Sequence, residues 1–344
     1  MGFFDHKGQG AHTEEINSAD SGRRSAGQKT KRHCARFWWL YLVVFVVVVL
    51  VVVLPVIYVG YPNLAHRAIK HSHLTITRQS NLQPAPDALT VDLEAELHTT
   101  SPYHPSLRPF NASIYLPDRP DRALYSFETP ETRAEDGARE SVHQRVTLGH
   151  PEAFADFSTQ LLLNESLTLY LRGHGRLKQG GLPTTEVEWD QEIYIRGLNK
   201  LAGIAVTNFS LLGTADANGT NAVGRVWVNN PSVLTVEIGD LVQNNYVDGV
   251  FIANTTIPDL LLTPGNNSYP IYFTSNETAV ASLVTSTYRC GQLPVEIVTD
   301  YASYNGTRVP WLTTSMKATN FSTTVDISQA LTKAGLDAIL GDDC

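Results

Sequence analysis

Between Phe37 and Gly60 the chain runs for twenty-four residues without a charge, "FWWLYLVVFVVVVLVVVLPVIYVG". In water a valine run of this kind favours a strand. In hydrocarbon every backbone N–H must be satisfied within the segment, which leaves a helix as the single-pass solution. At about 1.5 Å per residue such a helix crosses a layer of roughly 30 Å with some tilt. Trp38, Trp39 and Tyr41 at one end, with Tyr58 and Tyr61 at the other, fit interfacial aromatic belts. Pro55 falls near the far end, where one lost hydrogen bond is tolerated. A cleaved signal peptide is the competing reading. Its apolar core is about 7–15 residues long, starts earlier and leads into a small-residue cleavage site. The run here is longer, starts at residue 37 and has no clear A-x-A after it, so an uncleaved anchor is expected.

The flanks orient that anchor. Residues 1–36 carry seven Lys/Arg against four Asp/Glu, six of the basic residues lying between Arg23 and Arg36. Only Arg67, Lys70 and Arg78 follow closely on the other side. The positive-inside bias places the N-terminus in the cytosol and residues 61–344 across the membrane. Residues 1–36 read as a disordered basic tail and 61–74 as a stalk. Residues 61–344 carry nineteen Lys/Arg against thirty Asp/Glu, an acidic balance that repels phosphate backbones and excludes nucleic acid as a partner.

Nine acceptor sequons follow the span: Asn111, Asn164, Asn208, Asn218, Asn254, Asn266, Asn276, Asn305 and Asn320. Composition alone predicts about three, and the excess fits a lumenal or extracellular domain. Of three cysteines, Cys34 precedes the span, as a reduced thiol or a palmitoylation site. Cys290 and Cys344 form the one pair available on the oxidising side, a disulfide that would tie the C-terminal tail to the last domain. The start "MGFFDH" lacks the Ser or Thr that myristoylation requires.

Beyond the span, strand signals dominate. "ALTVDLEAEL" (88–97), "SLTLYLRGHGRL" (166–177), "TEVEWDQEIYI" (185–195), "VLTVEIGDL" (233–241) and "LPVEIVTDY" (293–301) are β-rich or alternating, with turn residues between them. Two segments have helical spacing instead, "PEAFADFSTQLLL" (151–163) and "ETAVASLVTSTY" (277–288). A shift of 126 residues superposes Pro105-Ser106 on Pro231-Ser232, Ala153 on Ala279, Ala155 on Ala281, Thr159 on Thr285 and Leu167 on Leu293. The order of strands and helix repeats with it. The expected fold is therefore mainly β: two tandem antiparallel β-sandwich domains, each with one short helix, after a single transmembrane helix. Their expected bounds are 75–197 and 198–330, joined at "LNKLAG" and followed by a tail at 331–344.

Candidate chemistry is sparse. His66, His71 and His73 cluster beside the span, where an acid-lumen sensor competes with a solvated stalk. Metal binding would need more convergent ligands. Glu186, Glu188, Asp190 and Glu192 alternate with Val187, Trp189 and Ile193 and would share one strand face. A calcium site needs ligands from several directions, so a plain acidic face is expected. "RGHGRLKQGG" (172–181) carries neither phosphate-loop pattern and reads as a hairpin turn. No G-x-S-x-G, H-E-x-x-H or C-x-x-C occurs, and no catalytic residue, metal site or cofactor is assigned. Phe154, Phe157 and Leu161, with Val280, Leu283 and Val284, mark where splayed sheets would open a groove for an acyl chain; plain core packing is the alternative.

In "WVNNPSVLTVEIGD" a strand runs into Asn230-Pro231-Ser232 and out into another strand; the proline bars glycosylation there. The pattern resembles the signature of the late-embryogenesis-abundant type 2, or WHy, domain. The stretch from "GLNKLAGIAVTNFSLLG" to "IPDLLLTPGNN", with "SPYHPSLRPFNASIYL" and "FADFSTQLLLNESLTLYLRGHG", is similar to a fungal family of single-pass membrane proteins with tandem domains of this kind. The first copy departs from the signature, with His104 in the Asn position. The resemblance implies small antiparallel sandwiches, an apolar lipid groove in some relatives, and the fungal vacuolar membrane, with the cell surface or endoplasmic reticulum as alternatives. The expected function is that of a non-enzymatic, type II membrane glycoprotein whose lumenal domains bind lipid or a membrane partner. A scaffold linking cytosolic and lumenal partners is the second reading, and a lipid- or glycan-modifying enzyme the third.

Overall fold

The computed structural model describes residues 26–319 and 321–341, and the chain divides into two units, one ending at Tyr58 and the other beginning at Val59. The expected positions Asn320 and Cys344, and the tail before residue 26, lie outside the described residues.

The first unit is helical. Helix α1 spans Ala26–Pro55 and a π-helical turn follows at Val56–Gly60. It starts earlier than Phe37, so the last part of the expected disordered tail is helix; its Ala, Gln, Lys and Arg are strong helix formers. The helical stretch Trp38–Arg67 is long and apolar enough to cross a membrane, and a signal sequence fits the same length and composition.

The second unit opens with α2, Tyr61–Lys70, where a stalk was expected. Ala65 and Ile69, four apart and so on one helix face, are both buried in the core. Gln191 Nε2 donates to Ile69 O at 2.8 Å.

The first half then runs β1 (His73–Leu82), β2 (Ala88–His98), β3 (Ser106–Leu107), β4 (Asn111–Leu116), β5 (Arg119–Glu128), β6 (Thr132–Arg133) and β7 (Ala138–Thr147). Helix α3 (Pro151–Leu163), β8 (Ser166–Lys178) and β9 (Thr185–Arg196) complete it. After a 3₁₀ turn at Asn199–Leu201 come β10 (Ala205–Leu211), β11 (Ala222–Asn230), β12 (Leu234–Val247), β13 (Val250–Leu262) and β14 (Gly265–Ser275). Then follow α4 (Glu277–Ser286), β15 (Gln292–Tyr304), β16 (Thr307–Arg308), α5 (Pro310–Lys317), β17 (Phe321–Asp326) and α6 (Ser328–Lys333).

The two halves carry the same ladder pattern. β1–β2, β2–β7, β4–β5, β4–β8 and β8–β9 pair in the first; β10–β11, β11–β14, β12–β13, β12–β15 and β15–β17 pair in the second. Helices α3 and α4 begin 126 residues apart, and so do β8 and β15. Two departures stand out. First, β1 pairs in parallel with β12, Gln79 opposite Leu234, so one eleven-stranded sheet runs through both halves. Within each half every ladder is antiparallel, as expected, and the parallel pairing lies between the halves. Secondly, the second half has more than one helix: α5 sits between β15 and β17, where the first half has no helix between β8 and β9.

Strand alternation sets the core. Val187, Trp189, Gln191, Ile193 and Ile195 of β9 are buried while the residues between them are exposed. The segment expected to be a hairpin turn is strand up to Lys178. Its glycines are there for space: a Cβ at Gly173 would lie 2.5 Å from Phe110 Cε2, and one at Gly175 2.9 Å from Leu107 Cδ1.

Candidate functional site

The cavity of interest lies where α3 of the first half meets α5 of the second. Phe154, Phe157 and Leu161 line it from α3, Trp311, Leu312 and Met316 from α5, and Ile238 and Leu262 from the strands below. It measures about 40 Å³. That volume holds a water or two and is far below the roughly 300–1,000 Å³ of a ligand pocket. Phe154 meets Phe157 at 5.4 Å and Trp311 at 4.8 Å between ring centroids. Trp311 Nε1 donates to Ala85 O at 2.8 Å, which anchors α5 to the β1–β2 connection.

The six expected groove residues do not converge. The three on α3 line the cavity; Val280, Leu283 and Val284 on α4 do not. Val284 is fully buried, and Val280 and Leu283 pack against the core. Each repeat helix has its own cover: α5 lies on α3, and α4 packs against β13 and the 3₁₀ turn Asp337–Ile339. Ile339 and Leu340 pack onto the core there, so the expected tail is packed over its described part, up to residue 341. Gly341 N donates to Arg289 O at 2.9 Å beside Cys290, which is disulfide-bonded.

The acidic face of β9 has a basic counterpart. In the β8–β9 ladder Tyr170 stands opposite Glu192, Arg172 opposite Asp190, His174 opposite Glu188 and Arg176 opposite Glu186. Arg172 Nε lies 3.1 Å from Asp190 Oδ1, His174 Nε2 3.7 Å from Glu188 Oε1, and Arg176 Nε 3.8 Å from Glu186 Oε1. The glycine-rich basic segment and the acidic segment of the sequence thus answer one another. Exposed pairs of this kind add little stability singly, but they set register. The Tyr194 hydroxyl, and next that of Tyr170, donate to Glu192 and hold its carboxyl below the usual range. A carboxylate so held is a weaker base, the reverse of what acid–base chemistry near neutral pH asks.

His66, His71 and His73 are exposed, the first on α2 and the last at the start of β1. No cluster of three or more His, Cys, Asp or Glu able to hold a metal occurs among the described residues. Asn111, Asn164, Asn208, Asn218, Asn266, Asn276 and Asn305 are exposed; Asn254 is half-buried, its Nδ2 donating to Asn244 Oδ1 at 3.0 Å.

The Asn230-Pro231-Ser232 turn carries the chain from β11 to β12, strands that pair with different neighbours. Asn230 is buried and closes the corner itself: its Nδ2 donates to Leu234 O at 2.7 Å, and its Oδ1 accepts from Ser232 N and Oγ at 2.9 and 2.7 Å. Helix α5 escapes sequence reasoning, although Pro310 at a helix start, Trp311 and Met316 were its signals.

A family model described as "Protein of unknown function (DUF3712)" matches residues 122–245, from β5 to β12 across the junction of the halves. No curated protein matches the chain. Among solved structures, the chain is similar to a red sea bream transglutaminase at 11% identity and TM-score 0.22, over 77% of this chain and 32% of that one. It is similar to a Mobiluncus mulieris adhesin containing disulfide, isopeptide and ester cross-links at 10% and 0.19, over 67% and 79%. A DUF4785 family protein from Legionella pneumophila gives 10% and 0.22, over 75% and 56%. The chain thus spans about a third of the transglutaminase's length. Likenesses at this level bear on neither activity nor overall fold.

Proposed function

We propose that this protein is a single-pass, type II membrane glycoprotein without catalytic activity. Its lumenal β-domains act as a scaffold that presents surface to a partner at the membrane. The observation that carries this reading is the covering of both repeat helices: Phe154, Phe157, Leu161 and Val284 are buried under α5 and the C-terminal segment. Remaining free space at α3 is about 40 Å³, too little for an acyl chain. Lipid binding, the leading expectation from sequence, becomes the second reading, since it requires α5 to leave α3. The late-embryogenesis-abundant likeness of the Asn230-Pro231-Ser232 corner supports tandem sandwich domains of that type, and the same resemblance supports a vacuolar membrane.

Native mass spectrometry of the full-length protein released from detergent tests the choice. A scaffold carries no acyl lipid at fixed stoichiometry and is captured with a protein neighbour after cross-linking in intact membranes. One lipid retained per chain, and retained by a larger fraction of chains when Trp311 is replaced by alanine and α5 is freed from α3, would establish the lipid reading instead.

A further inference from the structure

The outer face of β11 and β14 carries an exposed tryptophan beside a sequon. Alternation along β11 leaves Arg225, Trp227 and Asn229 exposed while Val226, Val228 and Asn230 are buried. Opposite them on β14, Pro270, Ser268 and Asn266 take the same face, with Arg225 against Pro270, Trp227 against Ser268 and Asn229 against Asn266. Trp227 is 43% exposed, a large apolar surface for a residue in the middle of a sheet. Asn266 is its diagonal neighbour across the ladder, and diagonal positions are about 7–8 Å apart, within reach of long side chains. Arg225 fixes the edge of this surface by donating to Ser268, Nε to Oγ at 3.0 Å and a terminal guanidinium nitrogen to the backbone oxygen at 2.9 Å.

We propose that an N-linked glycan on Asn266 folds back across Trp227, its first sugar ring laying an apolar C–H face on the indole. The occupant is part of this chain's own covalent structure. A sugar on Asn266 Nδ2 starts on the indole's side of the sheet, one diagonal step away, and a pyranose ring spans that step. Aromatic faces hold such C–H surfaces by apolar burial and by the ring quadrupole. The glycan is thereby a structural cover for Trp227 as well as a solubilising group. The inference rests on the proposed lumenal orientation.

The test is hydroxyl-radical footprinting of the full-length protein from a glycosylating host, read residue by residue by peptide mass spectrometry. Trp227 is expected to oxidise several-fold more slowly with the glycan than in Asn266→Gln, while buried Trp311 serves as an unchanged internal reference. Trimming the folded protein to a single sugar should keep the protection, and removing that sugar enzymatically should abolish it; this second arm does not depend on the variant folding. The melting midpoint is expected to fall by about 2–4 °C in Asn266→Gln, and by much less when Trp227→Ala is already present. If other sequons are occupied but Asn266 is bare, or if Trp227 oxidises equally with and without its glycan, the inference fails and the topology stands. If no sequon is occupied, the topology itself fails and this inference with it.

Discussion

Phe154 of α3 and Trp311 of α5 meet edge to face, ring centroids 4.8 Å apart and planes at 87°. The pair joins the two halves at a helix that the repeat does not share. Trp311→Ala removes the ring, the contact and the bond to Ala85 O together. We expect it to destabilise the protein by about 3–5 kcal/mol, with Trp311→Phe nearer the bottom of that range. Denaturant unfolding of the detergent-solubilised protein measures both; a loss under 1 kcal/mol for the alanine variant would mean that α5 does not hold the halves together.

Asn230 is buried and uses both ends of its amide inside the corner. Asn230→Ala leaves Leu234 O and Ser232 N without their partner, at a cost of about 1–3 kcal/mol. Asn230→Asp keeps the acceptor and loses the donor, and should fall between. Equal stability of all three by thermal unfolding would show that the backbone turn stands without the side chain.

Gly173 sits in mid-strand under Phe110. Gly173→Ala places a methyl 2.5 Å from Phe110 Cε2 and 2.8 Å from Asn111 O, and a backbone oxygen cannot step aside. The expected cost is about 1–3 kcal/mol. Combining it with Phe110→Leu should recover part of the loss only if the ring is the main obstacle; no recovery would assign the clash to the backbone.

Tyr125 is buried, and burial pushes its phenol well above the ordinary value, with a hydrogen bond from Gln79 opposing. A raised folded pKa means that the stabilising contribution is complete below the unfolded value of about 10 and is lost as pH rises toward the folded one. The wild type should therefore lose stability from about pH 10 upward more steeply than Tyr125→Phe. Parallel alkaline limbs in the two unfolding curves would remove Tyr125 from that role.

Orientation can be read on intact membranes. In sealed vesicles with the cytosolic face outward, an added protease should remove only about 36 residues, and glycosidase after lysis should speed gel migration by several glycans. Digestion of the β-domains without lysis would reverse the proposed topology.

The sequence by itself determined whatever depends on local pattern. The uncharged run from Phe37 must be helical if it enters lipid, because no partner outside the segment can take its N–H groups. Alternation in 185–195 placed Val187, Trp189 and Ile193 inside and four carboxylates outside, and helical spacing marked α3 over its full length. The 126-residue offset was legible because both copies keep the same order of elements. What the tertiary structure alone decided is which surfaces meet. Nothing local tells "RGHGRLK" that its partner is "EVEWDQE", since pairing depends on register between strands. Nor does the spacing of Phe154, Phe157 and Leu161 say whether a ligand or another helix will cover them. A helix carries the same apolar stripe in either case, and only the tertiary structure places Trp311, contributed from far along the chain, against Phe154.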